Sequence, residues 1–313
     1  MTTDRRHLEA VRNTTTERTT MGPNDPIRLK SDILANLREQ LRADRFVEAV
    51  TPVVRRADCP GRRIQVDLHD GRFLRAMIGP ALRMTLEHHQ RVFEIGPCFR
   101  PDKPDSLHTN EFTMLDLYAA DESYDSLCDL AIRLVAPHIA YTPERLSVAD
   151  CIRDHFGTDL RHEPYGDLPQ RIARFLGATP ATPVQDVLGR YIEQELEPRS
   201  SGRAILLTEF PLGGDEPCAR PTPGAHAVLN RFELIVDGIE VVHGYEDDPN
   251  TAAFADRARA VGLYDDEQRI TQHAVEAGRV PAASVGLGIG IERLCAVAAG
   301  IRDIRPFCQS AQF

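Results

Sequence analysis

The chain has 313 residues, 42% from the apolar set and 27% charged, enough to bury a sizeable core as one large domain or two modest ones. Its 37 Lys and Arg against 47 Asp and Glu leave a net charge of −10, which argues against a large nucleic-acid footprint. No apolar run reaches membrane-spanning length, and the start, MTTDRRHLEAVRNTTTERTT, lacks the apolar core of a signal peptide, so a cytoplasmic location is expected.

Residues 1–26 are rich in Thr, Arg and Asn without periodicity and predict a flexible polar arm. Arg5, Arg6, Arg12 and Arg18 form a local basic patch there, although a solubilising tail fits them better. Residues 27–313 are expected to form one domain. Across 27–44, Ile33, Leu34, Leu37 and Leu41 recur at helical spacing. This helix runs into RFVEAVTPVV, a short strand carrying Pro52. Residues 63–78 read as a hairpin around His69-Asp70-Gly71, and 80–88 as a short helix. Two long antiparallel strands fall within 92–118. A helix over 124–139 places Leu127, Leu130, Ala131 and Leu134 on one face.

Residues 140–200 predict a mainly helical insert. Strands return at AILLTEF, at RFELIVDGIEVVHGYE with a turn at Asp237-Gly238, and at SVGLGIG, with helices at 250–261 and 291–299. The pattern is α+β: a mostly antiparallel sheet flanked by helices, rather than a βαβ alternation.

Seven Cys (59, 98, 128, 151, 218, 295 and 308) are scattered singly with no CxxC pair, which fits a reducing compartment and argues against a zinc ribbon or a disulfide framework. The 92–118 hairpin puts Arg100 at the end of its first strand, His108 in its loop and Phe112 at the start of its second. An arginine, a histidine and an aromatic ring are the groups that hold a nucleotide's phosphates and base. In VGLGIGIERL, Gly286, Gly288 and Gly290 clear one strand face, either for a flat ligand or for close helix–strand packing. Their GxGxG spacing near the C terminus is not a dinucleotide fingerprint, and no Walker pattern is present. A tight turn at Asp237-Gly238 would set Glu233 and Glu240 nearly opposite one another on one face, either as a Mg²⁺ pair or as solvated strand residues. His243, Tyr245 and Asp247 alternate along the same strand, as a pocket wall or an exposed edge.

Together these stretches resemble the catalytic core of class II aminoacyl-tRNA synthetases, in the lysyl-type branch. RFVEAVTPVV resembles the family's first motif, a dimer-forming helix and strand ending in Pro52. FEIGPCFRPDKPDSLHTNEFTMLDLY resembles the second motif, RFELIVDGIEVVHGYE the metal-carrying stretch, and GLGIGIERL the third. The likeness covers roughly residues 27–308. It implies ATP-dependent activation of an amino acid as an aminoacyl-adenylate, with ATP as substrate, Mg²⁺ and a homodimer. Arg100 would hold the α-phosphate and the incoming carboxylate, with Arg293 as the second catalytic cation. His108 would touch the outer phosphates, while Phe112 and Arg293 cover the two adenine faces beside Gly290. Glu111 would position the adenine or the loop, and Glu233 and Glu240 would carry Mg²⁺.

The chain also departs from the family pattern. Asp102 stands where the family usually has Glu. In IGPALRM, Ala81 occupies the place of the Glu that anchors a lysine's α-amine, which removes an anion. Asp116 and Asp247 fall where lysyl enzymes use Glu for the side-chain amine, and His243 replaces an Asn. Tyr118 and Tyr245 keep aromatic walls, with Gly286 and Gly288 beside them. The expected substrate is therefore cationic at its far end: lysine-like, or a non-canonical or β-amino acid. Only about 26 polar residues precede the first helix, where lysyl-type enzymes carry an oligonucleotide-binding barrel. The chain so resembles truncated paralogues, similar to the ligase that modifies elongation factor P. The expected acceptor is a protein side chain, a carrier protein or a small amine, with tRNA unlikely. Two alternatives are tRNA aminoacylation without an anticodon domain and an inactive regulatory or binding subunit.

Overall fold

The computed structural model describes residues 25–56, 66–101, 103–179, 181–214, 216–264 and 266–308; the arm to residue 24, the start of the 63–78 hairpin, Cys59 and Asp102 lie outside them. Asp25 caps α1 (Pro26–Ala43) by accepting from the Ile27 and Arg28 backbone N–H groups, and Pro26 sits in the first turn, where no donor is needed. Ile33, Leu37 and Leu41 face inward as their spacing predicts. β1 (Val47–Glu48) is shorter than the strand expected, and Pro52 lies between it and β2 (Val54–Arg55). β3 (Val66–Asp67) and β2 both pair with β4 (Phe73–Leu74) in a small side sheet.

After the short helix α2 (Gly79–Met84), β5 (Arg91–Phe99) and β6 (Glu111–Ala119) pair in unbroken antiparallel register, from Arg91↔Ala119 to Phe99↔Glu111. Ser123 caps α3 (Tyr124–Val135). The insert holds α4 (Val148–Phe156), α5 (Leu168–Phe175) and α6 (Val184–Tyr191). It is not purely helical, because β7 (Glu144–Ser147) joins the main sheet parallel to β8 (Ala204–Thr208). A ribbon of β9 (Phe210–Pro211) and β10 (Val228–Leu229) precedes the hairpin of β11 (Arg231–Val236) and β12 (Ile239–Glu246). Next come α7 (Thr251–Ala260) and an unforeseen α8 (Asp266–Glu276), then β13 (Val285–Gly290) and α9 (Ile291–Ala298).

The main sheet runs β1-β5-β6-β13-β12-β11-β8-β7, parallel only at its two outer pairs, so the α+β expectation holds. Period-2 alternation divides its two faces. Leu115 and Leu117 of β6, Leu287 and Ile289 of β13 and Val242 of β12 join the core shared with α1, α3 and α9. A second core gathers α4, α5 and α6 against Ile205, Leu207 and Ile235. On the opposite face β13 presents glycines beneath side chains of β6 and β12, and Ile78, Leu82 and Ala274 pack with Val92, Cys98 and Tyr118 beside them.

One buried ion pair locks the side sheet to the main one. Arg75 reaches Glu94 at 2.6 Å, with side chains only 1% and 3% exposed. Arg75 also donates to the Thr51 and Pro97 carbonyls, while Glu94 accepts from the Thr51 N–H. A Cβ on Gly96 would lie 2.3 Å from the Arg75 guanidinium, so only glycine fits beneath it. Arg75→Ala would strand a buried carboxylate and is expected to cost about 3–5 kcal/mol in urea unfolding. A loss below about 1 kcal/mol would show that Glu94 finds another partner.

Candidate active site

Alternation along β6 sends Phe112, Met114, Asp116 and Tyr118 to the glycine face of the sheet, and β12 adds His243 and Tyr245 there. A cavity of about 350 Å³ lies on it, lined among others by Arg100, His108, Phe112, Glu233, Glu240 and Arg293. These six residues come from three separate stretches of chain, the β5–β6 hairpin, the β11–β12 hairpin and α9. Gly290, where β13 ends, lines the same cavity.

The cations at the mouth are held by neighbours. The Arg100 guanidinium lies 5.1 Å from the Phe112 ring centroid and donates to the Ala76 carbonyl at 3.3 Å. His108 pairs through Nδ1 with Asp105 at 3.0 Å, and its Nε2 lies 3.2 Å from Arg293. That pattern places the proton on Nδ1 and leaves Nε2 as acceptor. Arg293 spans the cleft, donating to both the carbonyl and the carboxylate of Glu240 at 3.2 Å.

The two glutamates share a wall, but not by the expected pairing. Glu233 stands opposite His243 and Glu240 opposite Ile235, because the register shifts between Leu234 and Ile235. The bulge leaves Val241 as the extra residue and resets the alternation, bringing Glu240 onto the face of His243. His243 Nδ1 lies 3.6 Å from Glu240, and Glu233 pairs with Arg231 at 2.6 Å. Burial would raise the Glu240 pKa, but His243 and Arg293 outweigh it and hold the carboxylate below its usual range. Burial would lower His243, and Glu240 reverses that, holding it above its ordinary value. Glu233 and Glu240 supply hard oxygen donors, and among the described residues no cluster of three or more His, Cys, Asp or Glu that could hold a metal forms. Two carboxylates fit a Mg²⁺ ion whose shell is completed by phosphate and water oxygens.

Deeper in, Asp116 accepts from the Gly79 N–H, and its buried carboxyl is pushed up in pKa by desolvation against the opposing charge of His243. Asp116, Met114 and His243 converge over Gly288, where a Cβ would meet them at 2.8, 2.9 and 3.1 Å. The Tyr118 and Tyr245 hydroxyls bond each other at 3.0 Å. Gly286 underlies Tyr118: a Cβ there would sit 2.6–2.9 Å from ring atoms. Gly286→Ala is therefore expected to cost about 1–3 kcal/mol through overpacking, read as a shifted urea midpoint. An unchanged midpoint would mean the ring has room to move.

Asp247 is placed otherwise than its expected role implies. It lies one residue beyond β12, with Oδ1 3.0 Å from Arg83 and Oδ2 bonded to the Ser284 hydroxyl. Ala81 belongs to the same α2 turn as Arg83. Glu111 falls on the other strand face and lines a separate groove with Ile27, Lys30 and Glu292, as the alternation that sends Phe112 into the cleft requires.

Three residues emerge that the motifs did not single out. Arg83 is the one basic side chain in IGPALRM, which marks it. Arg231 stands two residues before Glu233, on its face of β11, and its guanidinium lies 4.4 Å from the Phe210 ring centroid. Glu292 is buried, accepts from the Thr113 N–H at 2.9 Å and holds Lys30 of α1 at 2.7 Å, fixing α9 beside the cleft. Its sequence signal is only its place beside Arg293.

The model of the class II tRNA synthetases (D, K and N) matches residues 5–310. The lysine–tRNA ligase of Psychrobacter cryohalolentis is 29% identical, aligned over 96% of this chain and 64% of that protein. Those of Teredinibacter turnerae and Kineococcus radiotolerans are 29% and 28% identical over 89% and 90% of this chain. The chain spans about 64% of the length of these curated relatives. Among the described residues no helix is long and apolar enough to cross a membrane.

Proposed function

Because the chain belongs to the class II tRNA synthetases (D, K and N), we propose that it is a ligase that activates an amino acid with ATP as an aminoacyl-adenylate and passes it to an acceptor other than tRNA. The observation that carries the reading is the convergence of Arg100, His108, Phe112, Glu233, Glu240 and Arg293 on one cleft.

In the proposed reaction a carboxylate oxygen of the amino acid bonds to the α-phosphorus. The bond from that phosphorus to the bridging oxygen breaks, and pyrophosphate leaves with the electron pair. Negative charge builds on the α-phosphate oxygens, and the planar fork of Arg100 suits both them and the incoming carboxylate. Phe112 offers a stacking face to the base, and Arg293 caps the cleft above it. His108, in the loop at the mouth of the cleft, is the residue this reading assigns to the outer phosphates. Glu233 and Glu240 would hold Mg²⁺, which when bound neutralises phosphate charge. A nucleophile on the acceptor then takes the acyl group and AMP leaves.

The net charge of −10 supports a small or protein acceptor, since binding a polyanion draws on basic surface. The competing reading takes tRNA as acceptor, which is what the names of the relatives say of those proteins. Amino-acid-dependent exchange of pyrophosphate into ATP tests the first step; no exchange with any acid in a broad panel would return the non-catalytic reading. Radiolabelled amino acid should then appear on protein or small amines, and label on tRNA would overturn the acceptor. A second copy of the chain is the proposed cover for the edge around β1, where Val47 and Val54 are exposed and Val50 is 92% exposed. Sedimentation at micromolar concentration should give a dimer, and a monomer would count against it.

A further inference from the structure

Glu216 belongs to the 212–227 connection between β9 and β10, and it lines the same cavity as Arg100, Met114 and His243. The connection is pinned beside it. The Asp248 backbone N–H donates to the Cys218 carbonyl at 2.8 Å, the Arg220 N–H to the Glu246 carbonyl at 2.7 Å, and Ala219 bridges Asp247. Arg257 of α7 donates to the Pro217 and Ala219 carbonyls and pairs with Asp248 at 2.7 Å. A row of polar side chains also ends on the Glu216 carboxylate. The Tyr118 and Tyr245 hydroxyls bond at 3.0 Å, Tyr245 bonds Cys218, and the Cys218 thiol donates to Glu216 Oε2 at 3.6 Å. Burial, and after it Glu216 itself, pushes that thiol up in pKa, so it keeps the proton it donates.

An amino acid whose carboxylate meets Arg100 brings an ammonium group with it, three donors that need acceptors. The α2 segment GPALRM holds no acid, and Asp247 is 1% exposed with its oxygens on Arg83 and Ser284. Three other carboxylates line the cavity, and each is matched by a cation. Glu233 meets Arg231 at 2.6 Å, Glu240 meets Arg293 at 3.2 Å and His243 at 3.6 Å, and Glu292 meets Lys30 at 2.7 Å. Asp116 is buried, and desolvation pushes its carboxyl up in pKa, toward the neutral acid. Glu216 stands on the wall of Tyr245 and Cys218, and its charge adds to the pull that holds His243 above its ordinary value.

We infer that the Glu216 carboxylate binds the ammonium group of the amino acid, which makes the β9–β10 connection a specificity element of the cleft. The inference rests on the adenylate-forming reading.

Pyrophosphate exchange tests it with the best amino acid of the panel and its deamino counterpart, which carries hydrogen in place of the amine. Glu216→Gln should raise the KM for the amino acid by about a hundredfold, as removal of one partner from a desolvated charge pair does. Its kcat should change little, because the contact is the same before and during reaction. The Ki of the deamino acid as a competitor should stay within about threefold, since that acid never makes the contact. Equal losses for both acids would make Glu216 structural, and an unchanged KM would place the amine elsewhere, on Asp116 if Asp116→Asn alone raises it. Either result overturns the inference and leaves the reading standing. Asp215, beside it in sequence, lies outside the described residues, and Asp215→Asn controls for the charge of the connection. An effect there equal to that of Glu216→Gln would also overturn the assignment. Glu216→Asp keeps the charge on a shorter arm and should fall in between; if Glu216→Gln does not fold, this variant decides by the same two constants. No exchange by the unaltered protein with any acid overturns both the inference and the reading.

Discussion

Arg100→Ala should lower amino-acid-dependent pyrophosphate exchange by about 10²–10³-fold, as removal of one fixed donor from a developing oxyanion does elsewhere. Arg100 follows β5 directly, and its backbone is locked to Asn110 by bonds of 2.9 and 3.0 Å. The side chain is half-buried and lies over Phe112 rather than in the core, so truncation should leave the urea midpoint nearly unchanged. Loss concentrated in kcat, with the KM for ATP little altered, would mark a contact made in the transition state. Arg100→Lys keeps the charge but loses the planar fork and should fall in between. Activity within about twofold of the unaltered protein would remove Arg100 from the reaction.

The β5–β6 hairpin was legible because its alternation is long and nine paired positions leave no competing register. The same alternation already separates Glu111 from Phe112, so its placement outside the cleft follows from the period alone. Glu233 and Glu240 were legible as neighbours but not as they are reached, since a bulge at Val241 has no signature in IEVVHGYE. The Arg83–Asp247 pair was not legible. It joins α2 to the residue after β12 across tertiary space, and no local period encodes that meeting. α8 escaped because DEQRITQHAVE has too few apolar residues to set a stripe, and β7 because four residues of ERLS show no alternation.

Glu240→Gln is expected to lower exchange by a similar factor, about 10²–10³, because the side chain serves two neighbours as well as the proposed metal. Its carboxylate meets Arg293 at 3.2 Å and His243 at 3.6 Å, and Arg293 in turn reaches His108 at 3.2 Å. Glutamine keeps the shape and removes the charge, so loss of cation positioning and loss of metal binding must be told apart. Raising Mg²⁺ should restore part of the activity of Glu240→Gln and of Glu233→Gln if weakened metal binding is the cause. Arg293→Ala should show no such recovery, since its defect lies in the cap over the base. A Glu240→Gln variant insensitive to Mg²⁺ and matched by Arg293→Ala would make Glu240 a positioning residue and leave Glu233 without a metal partner. The pH profile supplies an independent check. Arg293 and His243 hold the Glu240 carboxylate below its usual range, so it stays ionised as pH falls through the normal carboxylate region. The unaltered protein should therefore show no loss of activity from this group near neutrality, and Glu240→Gln should be depressed equally across that range.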